Sequence, residues 1–256
     1  MNQTNAARPW AVVTGASSGI GRASAVRLGQ FGFNVIAGFC SNEEGAQQTL
    51  AEVRSQGVEG VAIRVDQAQP DSIGTFVESA FALADEVRVW ANLAGADILT
   101  GSGAEQSDRD KLDALLSVDL RGTILTCWEV VPRMRVQESG GAIINMSWDL
   151  ALHGMAGRNP EMFAAAKAGI TGFTRALARS AAPHVRVNEV APGWIQTRFA
   201  NQDMRDDYYR WVVETTPLAR FGRPEEVAEA VAFLASEGAS FISGQTIKVN
   251  GALSSG

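Results

Sequence analysis

Seven short β-branched runs alternate with longer amphipathic stretches along this 256-residue chain. That alternation points to an α/β fold, a doubly wound parallel sheet flanked by helices. The strand-like runs fall at 11–14, 34–39, 60–65, 87–92, 142–146, 185–190 and 246–249. Helical patterns lie between them at 20–30, 43–55, 71–84, 129–138, 161–181 and 224–236. No composition break divides the chain, so a single domain over 9–256 is expected, preceded by a disordered leader over 1–8. The least regular stretch is 192–217, which carries both tyrosines, Tyr208 and Tyr209. It follows a strand's carboxyl end, where a ligand crevice belongs, so it is read as a substrate lid, with a plain surface helix-loop as the alternative.

The first strand passes into the first helix through TGASSGIG, residues 14–21. Gly15, Gly19 and Gly21 permit a tight turn and close backbone approach, and the helix start offers free N–H groups to a pyrophosphate. Ser17, Ser18 and Ile20 complete the loop. A dinucleotide is the expected ligand. At the end of the second strand the chain reads GFCSN, 38–42, with no acid before Glu43. An acid there would bind a ribose 2′-hydroxyl and repel a 2′-phosphate. Ser41, Asn42 and Arg22 could serve a 2′-phosphate, so NADP(H) is favoured and NAD(H) stays open. Ser41 and Asn42 could instead cap the helix that starts near Glu43.

Composition excludes several other classes. Net charge is −6 without a Lys/Arg cluster, which argues against nucleic acid or an anionic membrane as partner. Cys40 and Cys127 match no metal spacing and read as free thiols in a reducing compartment. No apolar run is long enough to span a bilayer, and the N-terminus lacks an apolar signal core, so the cytoplasm is the expected location.

Seven blocks, in order, resemble the classical short-chain dehydrogenase/reductase family over nearly the whole length. They are TGASSGIG, Asp66 after the third strand, NLAG at 92–95, AIINMS at 142–147, AAKAGITGFT at 165–174, VRVNEVAPGWIQT at 185–197, and GRPEEVAEAVAFLAS with SGQTIKVNG near the end. The resemblance implies a seven-stranded Rossmann sheet, one NAD(P)(H) per subunit, a small-molecule substrate and a homotetramer. By the same resemblance Asp66 would contact adenine. Asn92, Ala94 and Gly95 would flank the adenosine ribose, and Pro192, Gly193 and Thr197 the nicotinamide. Lys167 would bond the nicotinamide ribose.

The family's catalytic residues are another matter. Phe163 stands four positions before Lys167, where the family has its acid–base tyrosine. Trp148 aligns with the oxygen-binding serine, with Ser147 one residue early, and Asp119 replaces the asparagine of the proton relay. A positioned acid contributes about 10²–10⁴ in rate, roughly 3–5 kcal/mol of barrier. Three readings follow: a pre-activated substrate such as an iminium, a substitute donor among His153, Asp149, Asp119 and the lid tyrosines, or a cofactor-binding protein without turnover. Each substitute also has a plainer use. His153 could be a surface residue, Asp149 a loop cap, and Asp119 a partner for Arg121 or a neighbouring subunit.

Overall fold

The computed structural model describes residues 8–254; apart from Arg8, the leader expected over 1–8 lies outside them. Seven parallel strands form one sheet in the order β3-β2-β1-β4-β5-β6-β7. They are β1 (Trp10–Thr14), β2 (Asn34–Phe39), β3 (Gly60–Arg64), β4 (Val87–Asn92), β5 (Gly141–Met146), β6 (Val185–Pro192) and β7 (Thr246–Val249). The order reverses between β1 and β4, and their carboxyl ends frame the crevice where doubly wound sheets bind ligands.

Alternation along the strands splits the core in two. Trp10 and Val12 face one side, packed with residues of α3 (Pro70–Leu83), α6 (Gly122–Arg135) and α7 (Arg158–Ala181). Ala11 and Val13 face the other, against α1 (Gly19–Gln30), α2 (Glu43–Arg54) and α9 (Pro224–Ala235). Trp90 fills the first side, edge-on to Phe76 at 5.6 Å and stacked on Phe81 at 6.0 Å. Its indole N–H donates to Asn92 Oδ1 at 3.0 Å. Asn92 Nδ2 in turn donates to Asn145 Oδ1 at 2.9 Å, so this buried polar row is satisfied inside the sheet. Burial beside it pushes the Cys127 thiol up to about 12.

The strand bounds agree with the sequence expectation to within two residues. The region before β5 differs more. Two short helices, α4 (Gly101–Ala104) and α5 (Asp108–Ala114), and a π-helical segment, Leu115–Arg121, precede α6, which starts at Gly122 rather than 129. Ser107 caps α5 by accepting the Asp110 N–H at 3.2 Å. In the expected lid, α8 (Asp206–Thr215) follows a π-helical turn, Phe199–Asp203.

Candidate active site

The glycine loop is shaped by close backbone approach. Gly15 has φ +69°, and a Cβ there would lie 2.8 Å from Ala94 Cα. A Cβ on Gly21 would fall 2.1 Å from the Gly15 carbonyl oxygen, closer than any atom tolerates. The loop is pinned by the Thr14 hydroxyl, which accepts from the Leu93 and Ala94 N–H groups, each at 3.1 Å. The Ala16 N–H donates to the Gly38 carbonyl at 3.0 Å. Ser18 is the extended N-cap residue of α1 and makes no side-chain cap. The N–H groups of Gly19, Ile20 and Gly21 therefore open the helix as a donor cluster.

Other predicted cofactor residues ring this loop unevenly. Thr197 comes over it, with its Cγ2 3.8 Å from the position of a Cβ on Gly19. Gly193 packs against Asn250, where a Cβ would meet Cα at 2.9 Å, and Pro192 ends β6 below it. Asp66 accepts from the Ala68 N–H at 2.9 Å at the end of β3. The Asn92 side chain is committed to the core, while Ala94 and Gly95 present backbone beside Gly15 and Asp119. Asn42 caps α2 by accepting from the Gly45 N–H at 3.0 Å, as in the plainer reading, and Ser41 is exposed beside it. Arg22 pairs with Glu52, while Arg64 donates to the Cys40 carbonyl at 3.1 Å near the end of β2. The loop, the donor cluster and the overlying Thr197 could hold an anionic group such as a dinucleotide pyrophosphate.

The π-helical segment brings Asp119 to the centre of the molecule. Asp119 Oδ2 lies 2.8 Å from Lys167 Nζ, with the two side chains 1% and 4% exposed. Its other oxygen accepts the Ala96 N–H at 2.7 Å. Lys167 also donates to the Met146 carbonyl at 3.2 Å, and its ammonium sits 5.3 Å from the Phe163 ring centroid. Arg121, the alternative partner for Asp119, instead donates to the Ala68 carbonyl at 2.9 Å.

Phe163 packs edge-on to Trp148, with centroids 5.4 Å apart and planes at 71°. Both rings line a cavity of about 300 Å³ with Ile98, Leu99, Met155, Pro160, Trp194 and Phe199. Only Asn159 and Tyr208 add a polar head group to that lining, apart from the indole N–H groups. Tyr208 reaches it from α8, perpendicular to Trp194 at 5.5 Å and stacked on Trp211 at 5.4 Å. Burial raises the Tyr208 phenol above its usual value. Tyr209 faces elsewhere, stacked on Phe221 at 4.5 Å.

Ser147 does not line this cavity. Its hydroxyl is buried between Thr171 Oγ1, at 3.0 Å, and the Lys167 carbonyl, at 3.2 Å. Exposed His153 borders a separate depression of about 520 Å³ with Trp148, Asp149 and Glu189. Burial raises the carboxyls of Asp149 and Glu189. Among the described residues no three His, Cys, Asp or Glu side chains cluster as a metal site. The sequence reading missed Trp194, although its place directly after the Pro-Gly at a strand's carboxyl end was a usable signal.

Residues 15–254 match the family model described as Enoyl-(Acyl carrier protein) reductase. A 3-oxoacyl-(acyl-carrier-protein) reductase FabG of Staphylococcus epidermidis is 35% identical over 244 residues, covering 95% of this chain and 98% of the relative. The chain belongs to the short-chain dehydrogenase/reductase family. A further family relative, 3beta-hydroxysteroid dehydrogenase 1 of Eggerthella lenta, is 32% identical over 249 residues, covering 94% and 92%. Among solved structures, acetoin dehydrogenase from Enterobacter cloacae superposes with TM-score 0.83 at 30% identity, covering 97% and 96%. A variant of a Serratia marcescens short-chain dehydrogenase/reductase gives 0.86 at 28%, covering 96% and 98%. The fold is therefore a short-chain dehydrogenase/reductase Rossmann sheet, and membership implies NAD(P)(H) binding. Among the described residues no helix is long and apolar enough to cross a membrane.

Proposed function

We propose that the chain is an NADP(H)-preferring oxidoreductase acting on a small apolar or aromatic carbonyl- or iminium-type substrate, through a site that uses no tyrosine acid at position 163. One observation carries this reading. Lys167 is paired with Asp119 at 2.8 Å, and its neighbour is the Phe163 ring rather than a phenol it could acidify. When bound, the dinucleotide exchanges a hydride with the substrate carbon. Gly15, Ser17, Ser18, Gly19, Ile20 and Gly21 would hold its pyrophosphate. Asp66, Ala94 and Gly95 would border the adenosine, with Pro192, Gly193, Thr197 and Lys167 at the nicotinamide end. Phe163, Trp148 and Trp194 orient an apolar substrate and keep water from the reacting carbon. The NADP(H) preference rests on the lack of an acid at the end of β2 and on the Arg64 guanidinium beside the Cys40 carbonyl. The segment 192–217 acts as the lid, carrying Tyr208 into the cavity wall.

Calorimetric titration with NADPH and NADH, followed by single-turnover hydride transfer over a panel of aryl carbonyls and iminium ions, tests this reading. Tight binding of NADPH with transfer to at least one class is expected; failure to bind either reduced dinucleotide overturns it. A second reading, a dinucleotide-binding protein without turnover, draws on the apolar character of both catalytic positions, Phe163 and Trp148. It prevails if NADPH binds and no hydride moves. We further assign a homotetramer, supported by exposed Trp128 on α6 and fully exposed Phe241 before β7, apolar groups suited to subunit contacts. Light scattering at micromolar concentration tests it, and a monomer would refute it.

A further inference from the structure

We infer that the aromatic cavity selects a cationic C=N⁺ substrate, an iminium ion carried on an apolar ring, over a neutral ketone of the same shape. This rests on the oxidoreductase reading above and names its substrate class.

The chemistry of the two electrophiles differs in one proton. Hydride addition to a ketone forms a C–H bond and pushes the carbonyl π pair onto oxygen, giving an alkoxide that must be protonated. Hydride addition to an iminium forms the same C–H bond, but the π pair returns to nitrogen as a lone pair and the product is a neutral amine. In both cases a reduced nicotinamide is the two-electron donor and is oxidised. Only the ketone needs an acid at the moment of transfer. The acid position here is a phenyl ring, and the Ser147 hydroxyl is tied to Thr171 and the Lys167 carbonyl. The remaining O–H in the lining, Tyr208, sits among indoles, where burial makes it a weaker acid and no cation acts to lower it.

The walls also suit a positive charge. Trp148 and Phe163 stand at 71° to each other, and Trp194 and Tyr208 at 90°, so their π faces point in several directions around about 300 Å³. A cation within about 6 Å of such faces is attracted by the ring quadrupoles. An unpaired buried ammonium at Lys167 would oppose this, because it lies 5.3 Å from a ring that lines the cavity. Asp119 at 2.8 Å cancels that charge. Behind the Phe163 wall the carboxylate at Asp119, in place of the family's relay asparagine, thus makes the cavity electrically tolerant of a cationic guest.

The test uses the full chain and two benzo-fused bicyclic probes of similar size, the N-methyl-3,4-dihydroisoquinolinium ion and 1-tetralone. Without dinucleotide, quenching of tryptophan fluorescence should show the cation binding about 10-fold tighter than the ketone. Asp119→Asn, which keeps the acceptor for the Ala96 N–H, should weaken the cation about 10-fold and the ketone by less than about 3-fold. Trp194→Leu should weaken the cation more than the ketone, which guards against misreading a folding defect in the first variant. With NADPH present, the iminium should be reduced at a rate that stays level from about pH 6 to 9. Equal or weaker binding of the cation, or an unchanged cation affinity in Asp119→Asn, overturns the inference. Reduction of the ketone but not the iminium overturns the substrate class and leaves the oxidoreductase reading standing. NADPH binding with hydride transfer to neither probe overturns the inference, and the wider panel of carbonyls and iminium ions then decides the oxidoreductase reading.

Discussion

Asp119→Asn should destabilise the protein by about 3 kcal/mol, because it leaves the Lys167 ammonium buried without its counter-charge. At 2.8 Å the attraction is about 6 kcal/mol for an effective dielectric near 20, partly offset by the desolvation of both ions. Removing one member of such a pair typically costs about 3–5 kcal/mol. The asparagine retains the acceptor for the Ala96 N–H and a dipole toward Lys167, which places this variant at the low end. Lys167→Met should cost a similar amount by stranding the carboxylate. The double variant should cost less than the sum by about 2 kcal/mol, since two neutral groups of similar size carry no unpaired charge. Thermal unfolding should show the single variant melting about 6–12 °C lower, and urea titration of all four proteins completes the cycle. If the two single effects add to within about 0.5 kcal/mol, the pair is not a coupled, desolvated ion pair and the cavity argument loses its floor.

Gly21→Ala should abolish measurable NADPH binding in calorimetry, a loss of at least about 100-fold, because its Cβ would stand 2.1 Å from the Gly15 carbonyl oxygen; wild-type affinity would show that the loop can open. Phe163→Tyr with Trp148→Ser should raise simple ketone reduction by about 100-fold or more, the low end of acid–base contributions, measured as NADPH oxidation; no increase would place the missing function elsewhere. The Arg220 guanidinium beside Glu226 holds its carboxyl down at about 2, against an ordinary 4.5. That depressed value contributes stability in full above about pH 4.5 and loses it as the pH falls through about 2. The stability gap between the native protein and Glu226→Gln, followed by circular dichroism, should therefore close on acidification, and a gap that widens instead would contradict the assignment.

The sheet was legible because its inner strands are buried on both faces and spell that out in apolar, β-branched runs, as at Trp10–Thr14 and Asn34–Phe39, while the edge strands β3 and β7 are only half-buried. The glycine loop was legible because its spacing answers a local demand for space. The stretch from Asp108 to Arg121 was not. Its charged sequence carries no clean helical period, and the π-helical turn shifts the facing of its side chains by one residue. The Asp119–Lys167 contact joins residues on separate elements, so no local pattern could announce it; the position of Asp119 was recognised, and its partner was not. Ser147 is a similar case. Alignment by one residue decides whether it faces a substrate or Thr171, and strand register decides that in three dimensions. Trp194 and Tyr208 meet across a loop and a helix, where packing alone sets the geometry.

The edge-to-face contact between Trp148 and Phe163 bears on how such a site could be rebuilt. An edge-to-face pair of this kind adds about 0.5–1.5 kcal/mol beyond the area it buries. Restoring a tyrosine alone sets a phenol against an indole with no serine to share the substrate oxygen. Restoring a serine alone opens a void beside Phe163. The serine step alone forfeits the ring contact without delivering the acid. The tyrosine step alone keeps a ring there but leaves its phenol facing the indole, so the two positions are coupled. The ring pair therefore ties the two positions together, because a change at Trp148 alters what surrounds the ring at Phe163.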